Sequence, residues 1–330
     1  MPAQRGHLLR GVRCGDRRSG ADPRCLGRRV SRRRTGTQAA AYAAAFRVPP
    51  ALRTQGTFRA GDGQSPHAGR AASATRPAGR GGDRRAAQRR RSDIVNSASH
   101  CHWHPHADAA HWAAASAQAI ATALRTRLHT QDRARLLLSG GSTPAPVYAA
   151  LSQADLDWSR VHVGLVDERW LPPTDPDSNT HLIGKHLLQN RAADAPFEAL
   201  TGPGIDINDA VDTANWHAAR PADVVVLGMG PDGHTASLFP GMTGLAQALA
   251  SPDAYVAVDA GGCPGAGAWH RRISLTPAGL APAAHRLLLI RGDAKRKLLE
   301  EAASGTDVAA LPIRIALQTP GAILQVHWAP

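Results

Sequence analysis

Asp232 and His234 stand two residues apart in GMGPDGHTASLFPG, residues 228–241. A carboxylate beside an imidazole pairs a general base with a group that can orient it, and histidine titrates close to neutrality. The same stretch holds Gly228-x-Gly230-x-x-Gly233 behind an apolar run, which is the spacing of a dinucleotide-binding turn. Three features speak against that ligand. Two strand–helix units precede the turn, whereas the fingerprint belongs to the first such unit. The last glycine opens onto HTASLFP, a poor helix start that soon meets Pro240. Asp253, at the distance of a ribose-binding acid, lies ahead of a strand instead of at the end of one. The glycines are therefore read as shaping a turn that presents His234 beside Asp232. The competing reading is a capping aspartate and a solvated histidine.

Four further groups favour an anion. Ser139-Gly140-Gly141-Ser142-Thr143-Pro144 joins an apolar run to a helix. Its glycines let the backbone approach a ligand, and Ser142 or Thr143 can cap the helix that follows, whose free N–H groups attract anions. No Gly-Lys-Ser/Thr follows, so it is not a Walker loop. Asp167-Glu168-Arg169-Trp170 puts three charges at the end of a strand. Arg169 can fork onto a phosphate or a carboxylate, while Glu168 suits a structural ion pair. Arg271 and Arg272 precede Ile-Ser-Leu-Thr. Lys295, in Gly292-Asp293-Ala294-Lys295, falls in the first turn of a helix, where the dipole opposes a cation unless both hold a shared anion.

The elements that must position these groups alternate along the chain. Strands are expected at 135–139, 161–166, 223–228, 254–259, 285–292 and 322–328. Helices are expected at 110–128, after Pro144, at 178–189 with Ser178 as N-cap, at 207–219, 243–250 and from Asp293. Short apolar strands alternating with helices predict an α/β fold, a mostly parallel sheet with helices on both faces in a Rossmann-like three-layer arrangement. Ligands of such sheets lie at the carboxyl ends of the strands, where every polar group above falls.

The charge of +13 on 330 residues is not spread evenly. Residues 1–94 hold 22 arginines, no lysine and 5 acids; residues 95–330 hold 17 basic and 21 acidic residues. Residues 1–94 lack an apolar period and are expected to be a disordered extension. They read as an arginine-rich nucleic-acid tail, a transit peptide or, the favoured reading, an upstream reading-frame artefact with the natural start near Val95. Residues 95–330 are expected to form the working domain. Cysteine is sparse and matches no zinc or disulfide spacing, which suits a reducing compartment, the cytoplasm. HCHWHPH, residues 100–106, offers one cysteine and four histidines, but is read as a flexible lead-in. No run reaches the roughly 18 apolar residues of a membrane span.

In this order, SGGSTP, DERW with Ser178-Asn179 downstream, GMGPDGHTASLFPG, RISLT and GxxK resemble the blocks of the glucosamine-6-phosphate isomerase/6-phosphogluconolactonase superfamily over about residues 100–328. Arg169 and the Thr-Ala-Ser-Leu-Phe-Pro run favour its 6-phosphogluconolactonase branch. The resemblance implies hydrolysis of a sugar-phosphate lactone without metal or cofactor, while the charge distribution and the short apolar runs argue against a nucleic-acid or membrane partner. It implies His234 as the base and Asp232 as its orienting group. Arg272 and Lys295 then form a phosphate clamp, with Gly140, Gly141, Ser142, Thr143 and Arg169 lining the pocket. The alternatives are an amino-sugar phosphate deaminase, a sugar-phosphate-binding regulator, and an RNA-binding protein that works through its arginine tail. AGGCPGAGAWHRR, residues 260–272, is longer and richer in glycine than the family pattern, which leaves Arg271 and Arg272 as rival phosphate ligands.

Overall fold

The computed structural model describes residues 101–330, so the expectations for residues 1–94 lie outside the described residues. Seven parallel strands form the central sheet: β1 (Cys101–Pro105), β2 (Ala134–Leu138), β3 (Val161–Leu165), β5 (Phe197–Glu198), β6 (Val224–Leu227), β9 (His285–Arg291) and β10 (Leu324–Ala329). Their spatial order is β1-β10-β9-β6-β2-β3-β5. Every residue of β2 and β6 is buried, as is the interior of β9, so these strands are covered on both faces. Their apolar runs were legible for that reason.

The covering helices are α1 (Ala109–Thr130), α2 (Ala145–Leu151), α3 (Asn179–His186), α4 (Ile207–Ala218), α5 (Leu245–Ala250), α6 (Pro277–Leu280), α7 (Asp293–Ser304) and α8 (Arg314–Gln318). α1 packs on α2 and α2 on α3, while α8 packs on α6 and α7. Trp112, Ile120 and Leu124 of α1 are fully buried. At roughly 1.5–3 kcal/mol per fully buried large side chain, this face alone holds α1 to the sheet.

Three departures from the expected elements stand out. Asp167–Arg169 does not simply end β3. It forms β4, which pairs antiparallel with β8 (Arg271–Leu275), and β8 pairs with β7 (Tyr255–Asp259) in a separate three-stranded sheet. Residues 254–259 and the Arg-Ile-Ser-Leu run therefore serve a small antiparallel sheet. Within HCHWHPH, Cys101–Pro105 is no flexible lead-in, because it is the edge strand β1, in register with β10. The helix expected over 178–189 stops at His186, and residues 190–192 form a separate turn.

The chain runs from β2 to β3 on one side and reaches β6 on the other. This reversal opens a crevice at the carboxyl ends of β2 and β6, the place where doubly wound sheets bind ligands.

Candidate active site

The crevice is a cleft floored by the ends of β2, β6 and β9 and walled by β4 and β8 of the small sheet. Gly140, Gly141, Thr143, Arg169, His234, Arg272 and Lys295 all line it. Residues from five separate stretches of sequence thus meet at one place. Asp232 stands behind His234 instead of on the lining. Ser142 is a correction: beyond Gly141, at φ +91°, it is exposed and outside the lining. Neither Ser142 nor Thr143 caps α2 either; the N-cap position is Pro144, with no side-chain cap.

His234 is built by its turn. Its Nδ1 lies 2.5 Å from Asp232 Oδ1, and the same oxygen accepts its backbone N–H at 3.2 Å. An ionised carboxylate only accepts, so Nδ1 carries a proton, and the neutral form of the ring has its lone pair at Nε2. Burial pushes the Asp232 carboxyl up, but the hydrogen bonds and charge of His234 outweigh it and hold that carboxyl below its ordinary range. The Asp232 carboxyl is therefore ionised at neutral pH. A Cβ on Gly230 would lie 2.1 Å from His234 Cε1, so only glycine lets the imidazole fold back over the turn. Gly233 sits at φ +79°, a conformation that favours glycine. The glycines present His234, as the sequence suggested.

Beyond the histidine the backbone stays irregular. Ala236 lines the cleft at φ +50°, which is rare for a residue with a Cβ and is a feature of functional sites. Thr235 Oγ1 donates to the Gly228 carbonyl at 2.8 Å, and Ser237 Oγ donates to Asp167 Oδ2 at 2.6 Å. The buried Phe239 ring backs both His234, at 4.3 Å between centroids, and the Arg272 guanidinium, at 5.2 Å.

Arg272 is the arginine on the cleft, while its neighbour Arg271 is exposed. Its guanidinium is braced by the carbonyls of Trp269 (Nε, 2.8 Å) and Ala266 (Nη2, 2.7 Å). Nη1 lies 4.0 Å from Asp167 Oδ2. Arg169 donates from Nη1 to the Asp177 carbonyl, and its buried Nε has no protein partner. Lys295 reaches the cleft from the first turn of α7, and burial pulls its ammonium down from the usual lysine range. Among the described residues no carboxylate pairs with it. Glu168 proves structural. Its carboxylate accepts from Arg169 N, Ser178 Oγ, Asn179 N and Thr180 N, all at 2.7–2.9 Å, and so caps α3.

Sequence reasoning missed three polar lining residues. Ser139 Oγ is buried without a protein partner, Asp167 faces Arg272, and Asn179 fits against Gly140, where a Cβ would meet its Oδ1 at 1.8 Å. Each lies within a stretch already marked, but one-dimensional spacing does not say which neighbour turns inward. Among the described residues no group of three or more His, Cys, Asp or Glu is arranged to hold a metal ion.

One cleft thus holds an oriented imidazole, three cations and a glycine-rich loop, a set suited to a phosphorylated substrate with a bond to hydrolyse. A family model for glucosamine-6-phosphate isomerases/6-phosphogluconolactonase matches residues 107–328. A 6-phosphogluconolactonase from Xylella fastidiosa is 50% identical over 223 residues, covering 67% of this chain and 93% of its own. One from Pseudomonas aeruginosa is 40% identical over 230 residues, covering 66% and 93%. The crystal structure of a 6-phosphogluconolactonase from Shewanella baltica superposes with a TM-score of 0.64 at 33% identity, over 70% of this chain and 98% of that one. A monomeric glucosamine-6-phosphate deaminase shares the fold, with a TM-score of 0.57 at 18% identity. The chain belongs to the glucosamine-6-phosphate isomerase/6-phosphogluconolactonase family.

Proposed function

We propose that the chain hydrolyses 6-phosphoglucono-δ-lactone to 6-phosphogluconate, the ring-opening step of the oxidative pentose phosphate pathway, in line with the name 6-phosphogluconolactonase that its relatives carry. The observation that carries this reading is the hydrogen bond from His234 Nδ1 to Asp232 in a cleft that also holds Lys295, Arg272 and Arg169.

In the proposed reaction His234 Nε2 takes a proton from a water molecule. The water oxygen bonds to the lactone carbonyl carbon, giving a tetrahedral oxyanion. Its collapse breaks the bond from that carbon to the ring oxygen. The imidazolium returns its proton to the departing oxygen, which becomes a hydroxyl, and the carboxylic acid left on the acyl carbon gives its remaining proton to solvent and departs as a carboxylate. Asp232 supports both steps, since it fixes the tautomer and balances the transient imidazolium. The phosphate is held at the other side by Lys295 and the first turn of α7, where the helix dipole and the ammonium favour the same anion. Gly140, Gly141 and Thr143 supply a close-approaching backbone and a hydroxyl. Arg272 and Arg169 complete the positive lining.

Residues 95–330 are the proposed catalytic unit. Their slight excess of acids disfavours a polyanionic nucleic-acid partner. Among the described residues no helix is long and apolar enough to cross a membrane. Cys101 and Cys263 are free thiols, in keeping with the cytoplasm as the proposed setting.

The test offers the full chain two substrates. Lactone freshly generated from glucose 6-phosphate should open far faster than its spontaneous rate, with no ammonia released from glucosamine 6-phosphate. Ammonia release without lactone opening would overturn the assignment and favour the deaminase branch.

A further inference from the structure

The loop joining β7 to β8, residues 260–270, leans on the site. Gly265 lies in a short 3₁₀ turn, Pro264–Ala266, with a backbone that any residue adopts. A Cβ there would nevertheless lie 2.3 Å from Asp232 Oδ2 and 3.3 Å from His234 Nδ1. The first distance is shorter than real Cβ contacts allow, and the contacted oxygen belongs to a carboxylate already held by His234. The next residue, Ala266, is buried and gives its carbonyl to Arg272 Nη2 at 2.7 Å. Trp269 gives its carbonyl to Arg272 Nε at 2.8 Å, and its indole N–H donates to Asp177 Oδ2 at 2.8 Å. Asp177 in turn holds Arg169 through its carbonyl. One loop therefore touches the carboxylate behind the proposed base and braces the arginine on the cleft.

We infer that Gly265 is a positioning residue for the hydrolytic reaction: its bare Cα backs the Asp232 carboxylate and keeps it on His234 Nδ1. The inference rests on the reading of His234 as the base. Adding a methyl group at Gly265 moves the carboxylate and leaves the cations in place, so it acts on turnover and not on binding.

The experiment is a double-mutant cycle in the full chain: wild type, Gly265→Ala, Asp232→Ala and the double variant, with His234→Ala run beside them. Gly265→Ala is expected to lower kcat about 10-fold or more, with KM within about 2-fold. In the Asp232→Ala background, where no carboxylate remains to be displaced, the same change should alter kcat by less than about 2-fold. Wild-type kcat in Gly265→Ala would overturn the inference. So would an equal loss in both backgrounds, which means general loop damage, or a raised KM with kcat kept, which means that only Arg272 moved. If Gly265→Ala does not fold, folding of the double variant supports the same contact, and failure of both overturns it. A fully active His234→Ala would instead remove the underlying reading of the base, a result that none of the Gly265 outcomes imitates.

Discussion

Lys295 sits in the first turn of α7, where a cation is electrostatically out of place, and burial already disfavours its charge. Both costs reverse once a dianionic phosphate lies between the ammonium and the helix end. Lys295→Met should therefore lower kcat/KM by about 10- to 100-fold, on the order of 1.5–3 kcal/mol for a charged hydrogen bond, chiefly through KM. Steady-state kinetics on the lactone would show this, and an unchanged KM would place the phosphate elsewhere. Gly230 makes a matching case for turnover. Gly230→Ala drives a methyl group into the His234 ring and should lower kcat at least as far as removing Asp232, without raising KM. Residue types and spacing marked Asp232, His234 and Lys295 because each is chemically conspicuous in its setting, and left Arg271 and Arg272 as rivals until the fold turned Arg272 to the cleft. Ser139 and Asn179 stayed hidden, since a serine before two glycines and an asparagine after an N-cap are ordinary until a fold turns them inward.

The elements divide in the same way. β2, β6 and β9 were legible as apolar runs because both of their faces are covered. β4 was not, because Asp-Glu-Arg has no apolar residue to mark it and its pairing with β8 is antiparallel and distant in sequence. β1 was missed because an edge strand with alternating exposure carries a weak hydrophobic signal. The small sheet matters beyond its size, since it delivers Asp167, Arg169 and Arg272 to the cleft from two adjacent strands. Glu168 ties that sheet to α3. Burial pushes its carboxyl up, against donors that hold it as a fourfold acceptor. Glu168→Ala should strand the α3 N-terminus and cost about 3 kcal/mol. Denaturant unfolding checks this; a loss below about 0.5 kcal/mol would show the cap to be dispensable.

Across the molecule, the histidines of β1 and β10 give stability a pH dependence unconnected with catalysis. His327 is buried with its Nδ1 3.2 Å from His106 Nε2 and its ring stacked on His104. Burial first, then the neighbouring His104 and His106, lowers it to about 4. A histidine depressed in the folded state binds its proton more readily when unfolded. Its neutral form thus stabilises the fold above about pH 6.5, and that contribution is lost as pH falls from there towards 4, by about 3 kcal/mol at most. His327→Gln should flatten the fall of the melting temperature over that window, and an unaltered slope would assign the effect to other groups. The match to the Xylella relative covers 93% of that protein with 67% of this chain, so a chain beginning at Val95 is expected to keep the full kcat/KM.

All of these scales converge on the imidazole that the Gly230 turn holds against Asp232. The most direct measurement is kcat for freshly generated 6-phosphogluconolactone, wild type beside His234→Ala, with folding verified by circular dichroism. A fall of at least ~100-fold is predicted, the scale of a removed general base. Equal turnover by the two proteins would contradict the account and require another group in the cleft to activate the water.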